Sequence, residues 1–225
     1  MIKKLYHGSD HIIERPICGY GKKYNDYGLG FYCTEDLSMA KEWGVEFEKD
    51  GYANCYELDC EGLHILDLNF KEYCVLHWLT VLLQNREFDI PSGLALEAKE
   101  YFIKHFAINC ENYDAIIGYR ADDSYFSFAQ DFINGTISYQ QLERAMHLGQ
   151  MWQQFVLKSE EAFERLRYLG CEEAKSEDWY VRKALRDRSA RREYLDVERF
   201  RRVRGDIYVT QILDEEMKPD DLRLR

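Results

Sequence analysis

Residues 26–43 read DYGLGFYCTEDLSMAKEW, and the way this stretch folds decides how the rest is understood. Gly28 and Gly30 close a run, residues 16–30, that is rich in Gly, Tyr, Asn and Asp. That composition interrupts regular structure and predicts a long loop. GFYCT (30–34) is aromatic and β-branched and predicts a short strand. Thr34 can then N-cap a helix running on through residue 50, with acidic residues early enough to suit the helix dipole. Upstream, IKKLY (2–6) predicts a strand that Gly8 and Ser9 terminate. An apolar strand ending in His-Gly-Ser, followed by a glycine-aromatic turn entering a helix, is either ordinary punctuation or two walls of one pocket.

The chain of 225 residues is 46% hydrophobic and 15% aromatic, with 17 Tyr and 4 Trp. Those values describe a folded globular protein and supply many rings able to stack on flat ligands. A net charge of -11 argues against nucleic-acid binding over the whole surface, while leaving room for a local basic patch. The opening MIKKLYHGSDH is basic but no apolar stretch follows it, so no signal peptide is expected. The longest apolar run, YCVLHWLTVLL, falls short of the roughly 18 residues of a membrane span. Seven cysteines without a CxxC pair fit reduced thiols in a cytoplasm. The expectation is an acidic cytoplasmic protein that does not engage a membrane.

Working outward, 53–59 and 63–69 alternate like strands. Residues 71–84 and 94–106 read as helices separated by Pro91-Ser92-Gly93. YDAIIGYRADD (113–123) is a buried strand leading into a turn. Helices follow over 125–135 and 138–149, parted by Gly135 and with Ser138 as a cap. QQFVLKS (153–159) is a strand, and 159–170 a short helix stopped by Gly170. Beyond it lies a long charged segment of helical pattern, basic in its second half. The organisation expected is α+β: a core domain over 1–170, then a charged helical extension over 171–225 packed on or beside it.

Several chemistries lack their motifs. GYGKKY has two of the three glycines of a dinucleotide loop and no strand-helix frame. There is no P-loop and no G-x-S-x-G elbow. His7 and His11 are four apart, but Gly8 and Ser9 disfavour a helix there, so no metal site is expected. Three features remain. His7 could donate a hydrogen bond to a ribose hydroxyl while the bare Gly8 backbone approaches a planar amide. The plainer account is a surface histidine beside a turn. Tyr32 and Trp43 could face each other across a flat ring, or be two core aromatics. Gln153 or Gln154 could project beside the first strand, or simply begin a polar strand.

Taken together, LYHGS, YGLGFYCTEDLSMAKEW and a later Q-F-V-L-K strand resemble the ADP-ribosyltransferase family. The branch is that of poly(ADP-ribose) polymerases and diphtheria-type toxins, marked by a His-Tyr-Glu triad. The resemblance is closer to a bacterial family of unknown function within it that carries YDxIxGxxADD, as in residues 113–123, and a Gln in the third position. It implies a split antiparallel β-sheet core ringed by helices. It also implies NAD as substrate, with His7, Tyr32 and Gln154 as the catalytic set. Gly8, Ser9, Gly30, Tyr32 and Trp43 would hold the nicotinamide end, and Ala40 stands where the polymerases have a Ser. The implied activity is mono-ADP-ribosyl transfer to a macromolecule, such as a toxin restrained by a small antitoxin protein performs. The alternative, favoured by the neutral Gln154, is a weakened NAD- or ADP-ribose-binding module or a slow NAD glycohydrolase. Asp122 and Asp123 are candidates for the missing acid, or cap the next helix. Arg120 reads as a solvated arginine, with a pyrophosphate contact as its other role. The basic C-terminal run admits a nucleic-acid partner, but a helix packed on the core is the favoured reading.

Overall fold

A computed structural model describes residues 1–121, 123–146 and 153–224. The chain runs β1 (Ile2–Ser9), β2 (Phe31–Cys33), α1 (Leu37–Gly44), β3 (Gly51–Asp59), β4 (Ile65–Asp67), α2 (Val75–Asn85) and α3 (Gly93–Phe106). It continues through β5 (Ala115–Tyr119), α4 (Asp123–Ile133), α5 (Tyr139–Ala145), β6 (Gln153–Leu157) and α6 (Glu160–Glu164). β7 (Leu166–Ala174), α7 (Ser176–Glu193) and α8 (Val209–Asp214) complete it. The fold is α+β, as the sequence predicts. One sheet has the order β1-β3-β7 and the other β2-β6-β5-β4. All pairings are antiparallel except β4 with β5.

Alternation along the strands divides the core in two. Leu5, Tyr56 and Leu58 of the first sheet meet Phe31, Cys33, Phe155 and Leu157 of the second. One residue out of step, Ile116 and Val156 face the opposite way, onto Trp78, Phe102, Phe128 and Phe132 of the helices. The second sheet is thus covered on both faces, which is why its central strands AIIGY and QQFVL read as nearly continuous apolar runs. Ser138 caps α5 as expected, and Ser92, read as part of the break, caps α3; each accepts from a backbone N–H three residues on.

Four local expectations are corrected. β1 does not stop before Gly8: His7, Gly8 and Ser9 pair with Asn54, Ala53 and Tyr52. The cap of α1 is Asp36, whose carboxylate accepts from Met39 N at 2.7 Å, because Thr34 is used in a backbone pair with Tyr6. The same helix ends at Gly44, where a bridge between Glu46 and Lys49 turns the chain into β3. Residues 166–170 are strand, not helix, since β7 pairs with β3 from Leu58–Leu166 to Gly51–Ala174. The domain edge expected at Gly170 therefore falls inside a strand of the first sheet.

The charged C-terminal segment is helical only to Glu193, then forms a π turn over Tyr194–Glu198. It is joined to the core at several points. Arg186 pairs with Glu42 of α1 at 2.9 Å. Buried Tyr194 stacks on Phe128 and donates to Asp131 at 2.6 Å. Val209, Ile212, Met217 and Leu224 complete the helical core. Among the described residues no helix is long and apolar enough to cross a membrane.

Candidate functional site

The two sheets touch edge to edge at a single backbone pair. Tyr6 N donates to Thr34 O at 2.8 Å and Thr34 N to Tyr6 O at 2.9 Å. An antiparallel ladder would next join Gly8 to Tyr32, two residues along each strand. That bond is replaced: His7 Nδ1 lies 2.7 Å from the Tyr32 carbonyl oxygen. Because Tyr6 turns its polar backbone groups away from β3, so does Gly8, and its N–H and C=O face the split between the sheets.

A carbonyl can only accept, so Nδ1 of His7 carries the proton and Nε2 keeps a lone pair. Burial lowers the His7 pKa to about 4, and its ring stacks on Phe31 at 4.3 Å. The neutral imidazole thus presents an acceptor, which corrects the donor role expected for it. Gly8 is demanded by packing as well: a Cβ there would sit 2.0 Å from Ala40 O and 2.7 Å from Trp43 Cβ. Helix α1 lies directly on the strand because that side chain is missing.

The split opens into a cleft of about 1260 Å³, larger than the roughly 300–1,000 Å³ of common small-molecule pockets. His7, Gly8, Gly30, Tyr32, Trp43 and Gln154 all line it, so the structure brings together the residues that the sequence set far apart. Tyr32 is held rigidly: its hydroxyl donates to Gly28 O at 2.6 Å and accepts from Tyr27 N at 3.0 Å. Burial raises its pKa. Trp43 has a buried Nε1–H without a hydrogen-bond partner among the described residues. Arg120 lies over the Trp43 ring, 5.0 Å from its centre, and lines the cleft, which corrects its reading as a solvated surface side chain. Ser9 also reaches the cleft, but its hydroxyl donates to His11 O at 2.5 Å and accepts from Asn54 at 2.9 Å. Its role is to shape the turn.

Gln154 is 4% exposed. Its Nε2 donates to Asp26 Oδ2 at 3.2 Å, while its Oε1 is buried without a partner among the described residues, a cost of about 1–3 kcal/mol when nothing fills it. Asp26 was not among the residues the sequence singled out. It is 4% exposed, pairs with Arg86 at 2.7 Å and accepts from Ala121 N at 2.8 Å. Burial pushes its pKa up, and these donors oppose that shift. The only signal available was its position immediately before YGLG. Asp122, the acid expected instead, lies outside the described residues. Asp123 opens α4, and its side chain also lies outside them.

Among the described residues the cleft carries Arg15, Lys22, Arg86, Arg120, Lys183 and Arg191 against two carboxylates, Asp26 and Asp187. A concentration of cations in a chain of net charge -11 suits an anionic ligand. Lys183, Asp187 and Arg191 recur every fourth residue on α7 and form one stripe of that helix. Burial, with Arg120 nearby, lowers the Lys183 pKa.

Fold and site together define an α+β protein with a deep cationic cleft at a sheet–sheet seam. A family model matches residues 3–168, and the chain belongs to that family, described as protein of unknown function (DUF3990). No curated protein and no solved structure matches the chain. Three of the cleft's polar side chains, Lys183, Asp187 and Arg191, lie beyond the matched residues.

Proposed function

We propose that the chain binds NAD in this cleft and acts as a mono-ADP-ribosyltransferase of the His-Tyr type. The observation that carries the reading is the interrupted ladder between β1 and β2. It sets the Gly8 backbone N–H and C=O, a donor and an acceptor matched to a carboxamide, beside Tyr32 and Trp43. His7 Nε2 would accept from a ribose hydroxyl, and Tyr32 would cover the nicotinamide ring. The cations lining the same cleft suit a pyrophosphate.

In the reaction, the bond from ribose C1′ to the nicotinamide nitrogen breaks and its electron pair leaves with nicotinamide, discharging the pyridinium. A lone pair of the acceptor forms the new bond to C1′, and the acceptor's proton passes to solvent. Positive charge builds on the ribose in between, and a neutral amide at Gln154 does not offset it as a carboxylate would. That favours slow single transfers over chain elongation. It also supports the second reading, an NAD- or ADP-ribose-binding module without turnover.

The test is incubation with labelled NAD and cell lysate, comparing wild type with His7→Ala and Tyr32→Ala. Label transfer lost in both variants supports the assignment, and transfer surviving both overturns the site. NAD binding without nicotinamide release selects the binding module. The species that take up label identify the acceptor, and a small protein that restrains the activity would suppress the labelling.

A further inference from the structure

Asp26 and Gln154 form a unit whose geometry has one solution. Oδ1 of Asp26 accepts from Arg86, and Oδ2 accepts from the backbone of Ala121. A carboxylate facing such donors only accepts, so the NH₂ end of Gln154 must be the end that meets Oδ2 at 3.2 Å. The flipped amide would set two acceptor oxygens against each other. Oε1 is therefore directed away from Asp26, and it is a buried acceptor without a partner among the described residues.

Asp26 is itself fixed by its neighbour. Tyr27, 1% exposed, donates from its hydroxyl to Tyr119 O at 2.7 Å. Its backbone carbonyl accepts from Lys158 at 2.6 Å and its N–H donates to the Tyr32 hydroxyl at 3.0 Å. The loop around Asp26 is thus pinned to β5, to Lys158 just past β6 and to β2 at once, which pre-organises the carboxylate.

We infer that Asp26 is the positioning residue of this cleft: it locks the Gln154 amide so that Oε1 stands as a fixed acceptor for a ligand ribose hydroxyl. Asp26 also lines the cleft, and there it carries, from the loop before β2 rather than from β6, a negative charge of the kind a carboxylate at position 154 would have supplied. Hydrogen bonding to that carboxylate polarises the amide and strengthens Oε1 as an acceptor. Arg86 offsets the charge, so the arrangement grips a hydroxyl more than it stabilises a cation. The inference rests on the NAD reading for the identity of the hydroxyl, but not for the orientation of the amide.

The experiment is a double-mutant cycle of Asp26→Asn, Gln154→Glu and both together, read by unfolding without ligand and by NAD titration. Gln154→Glu alone sets two carboxylates at hydrogen-bonding distance. Arg86 and Arg120 are the cations facing Asp26, and the Tyr27 and Tyr32 hydroxyls the other titratable groups beside it. Its unfolding midpoint should fall by about 5 °C at pH 8 and recover on acidification, as the pair takes up a proton. The double variant, in which the new amide at position 26 can donate to the new carboxylate at position 154 only by turning its NH₂ toward the Ala121 N–H, should lose the pH dependence and regain part of the midpoint. In the titration Asp26→Asn should weaken NAD binding about fivefold or more, because the introduced amide can present either end to Gln154. The double variant should release nicotinamide faster than either single one. Additive midpoints with no pH dependence would overturn the inference. Coupled midpoints with no NAD bound by any of the four proteins would support the positioning of Gln154 while overturning the NAD reading.

Discussion

His7 donates from Nδ1 to the carbonyl of Tyr32 at 2.7 Å, in the place where the β1 ladder would have met β2 through Gly8. That substitution splits the sheet, frees the Gly8 backbone and orients the imidazole in a single step. It also ties the site to pH. The His7 pKa is lowered from 6.5 to about 4, so the folded state holds it neutral while the unfolded chain protonates it as pH falls. Its contribution is complete above pH 6.5, declines as pH drops through the window, and is lost below 4, roughly 3 kcal/mol in all. Urea unfolding from pH 7 to 4 should show this slope in wild type. His7→Asn, which can still donate to Tyr32 O, should lack it.

Gly8→Ala should be among the most damaging single changes outside the helical core. The added methyl would lie 2.0 Å from Ala40 O and 2.6 Å from Gly44 N, both backbone atoms that cannot swing aside. Overpacking of this kind costs about 1–3 kcal/mol and sometimes more. Gly93→Ala, with nothing within 4 Å of the new methyl, should be neutral or stabilising in the same unfolding assay, since Gly93 opens a helix.

Arg86→Met would leave Asp26 buried without its countercharge. Breaking a buried pair costs about 3–5 kcal/mol. Arg86 is 24% exposed at its side chain, so about 2–3 kcal/mol is expected. The loss should shrink toward low pH, where Asp26 takes up a proton. Denaturation at pH 8 and pH 5 measures both.

Much of this architecture is legible in the sequence because it is carried by local signals. The apolar runs in AIIGY and QQFVL, the break at Pro91-Ser92-Gly93, the serine cap at 138, and the loop before Gly30 all act within a few residues. What escaped depends on partners distant in the chain. β7 reads as part of a helix from SEEAFERLRYLG, yet pairing with β3 decides its conformation. Thr34 looks like a cap until Tyr6 claims its backbone. Asp26 sits in a polar loop like several other acids, and only folding shows that Gln154, Arg86 and Ala121 converge on it. The basic run of α7 reads as a helix packed on the core, and nothing local marks the stripe of Lys183, Asp187 and Arg191 as the residues that line the cleft.

That stripe carries its own prediction. Lys183→Gln and Arg191→Gln should each weaken NAD binding about fivefold, a charge-assisted contact's worth. The loss should diminish as salt rises from about 0.05 to 0.5 M. Tryptophan fluorescence titration at the two salt concentrations, with Trp43 in the cleft as the reporter, reads both effects. Nicotinamide alone is the control that should not respond to either substitution.

The most direct test of the central claim is calorimetric titration of wild type, His7→Ala and Tyr32→Ala with NAD, with nicotinamide release followed in parallel. The account predicts saturable one-to-one binding by wild type, at least about tenfold weaker in each variant for the loss of a ligand-facing group, and any nicotinamide release abolished in both. Failure of wild type to bind NAD, or binding that both substitutions leave unchanged, would contradict it.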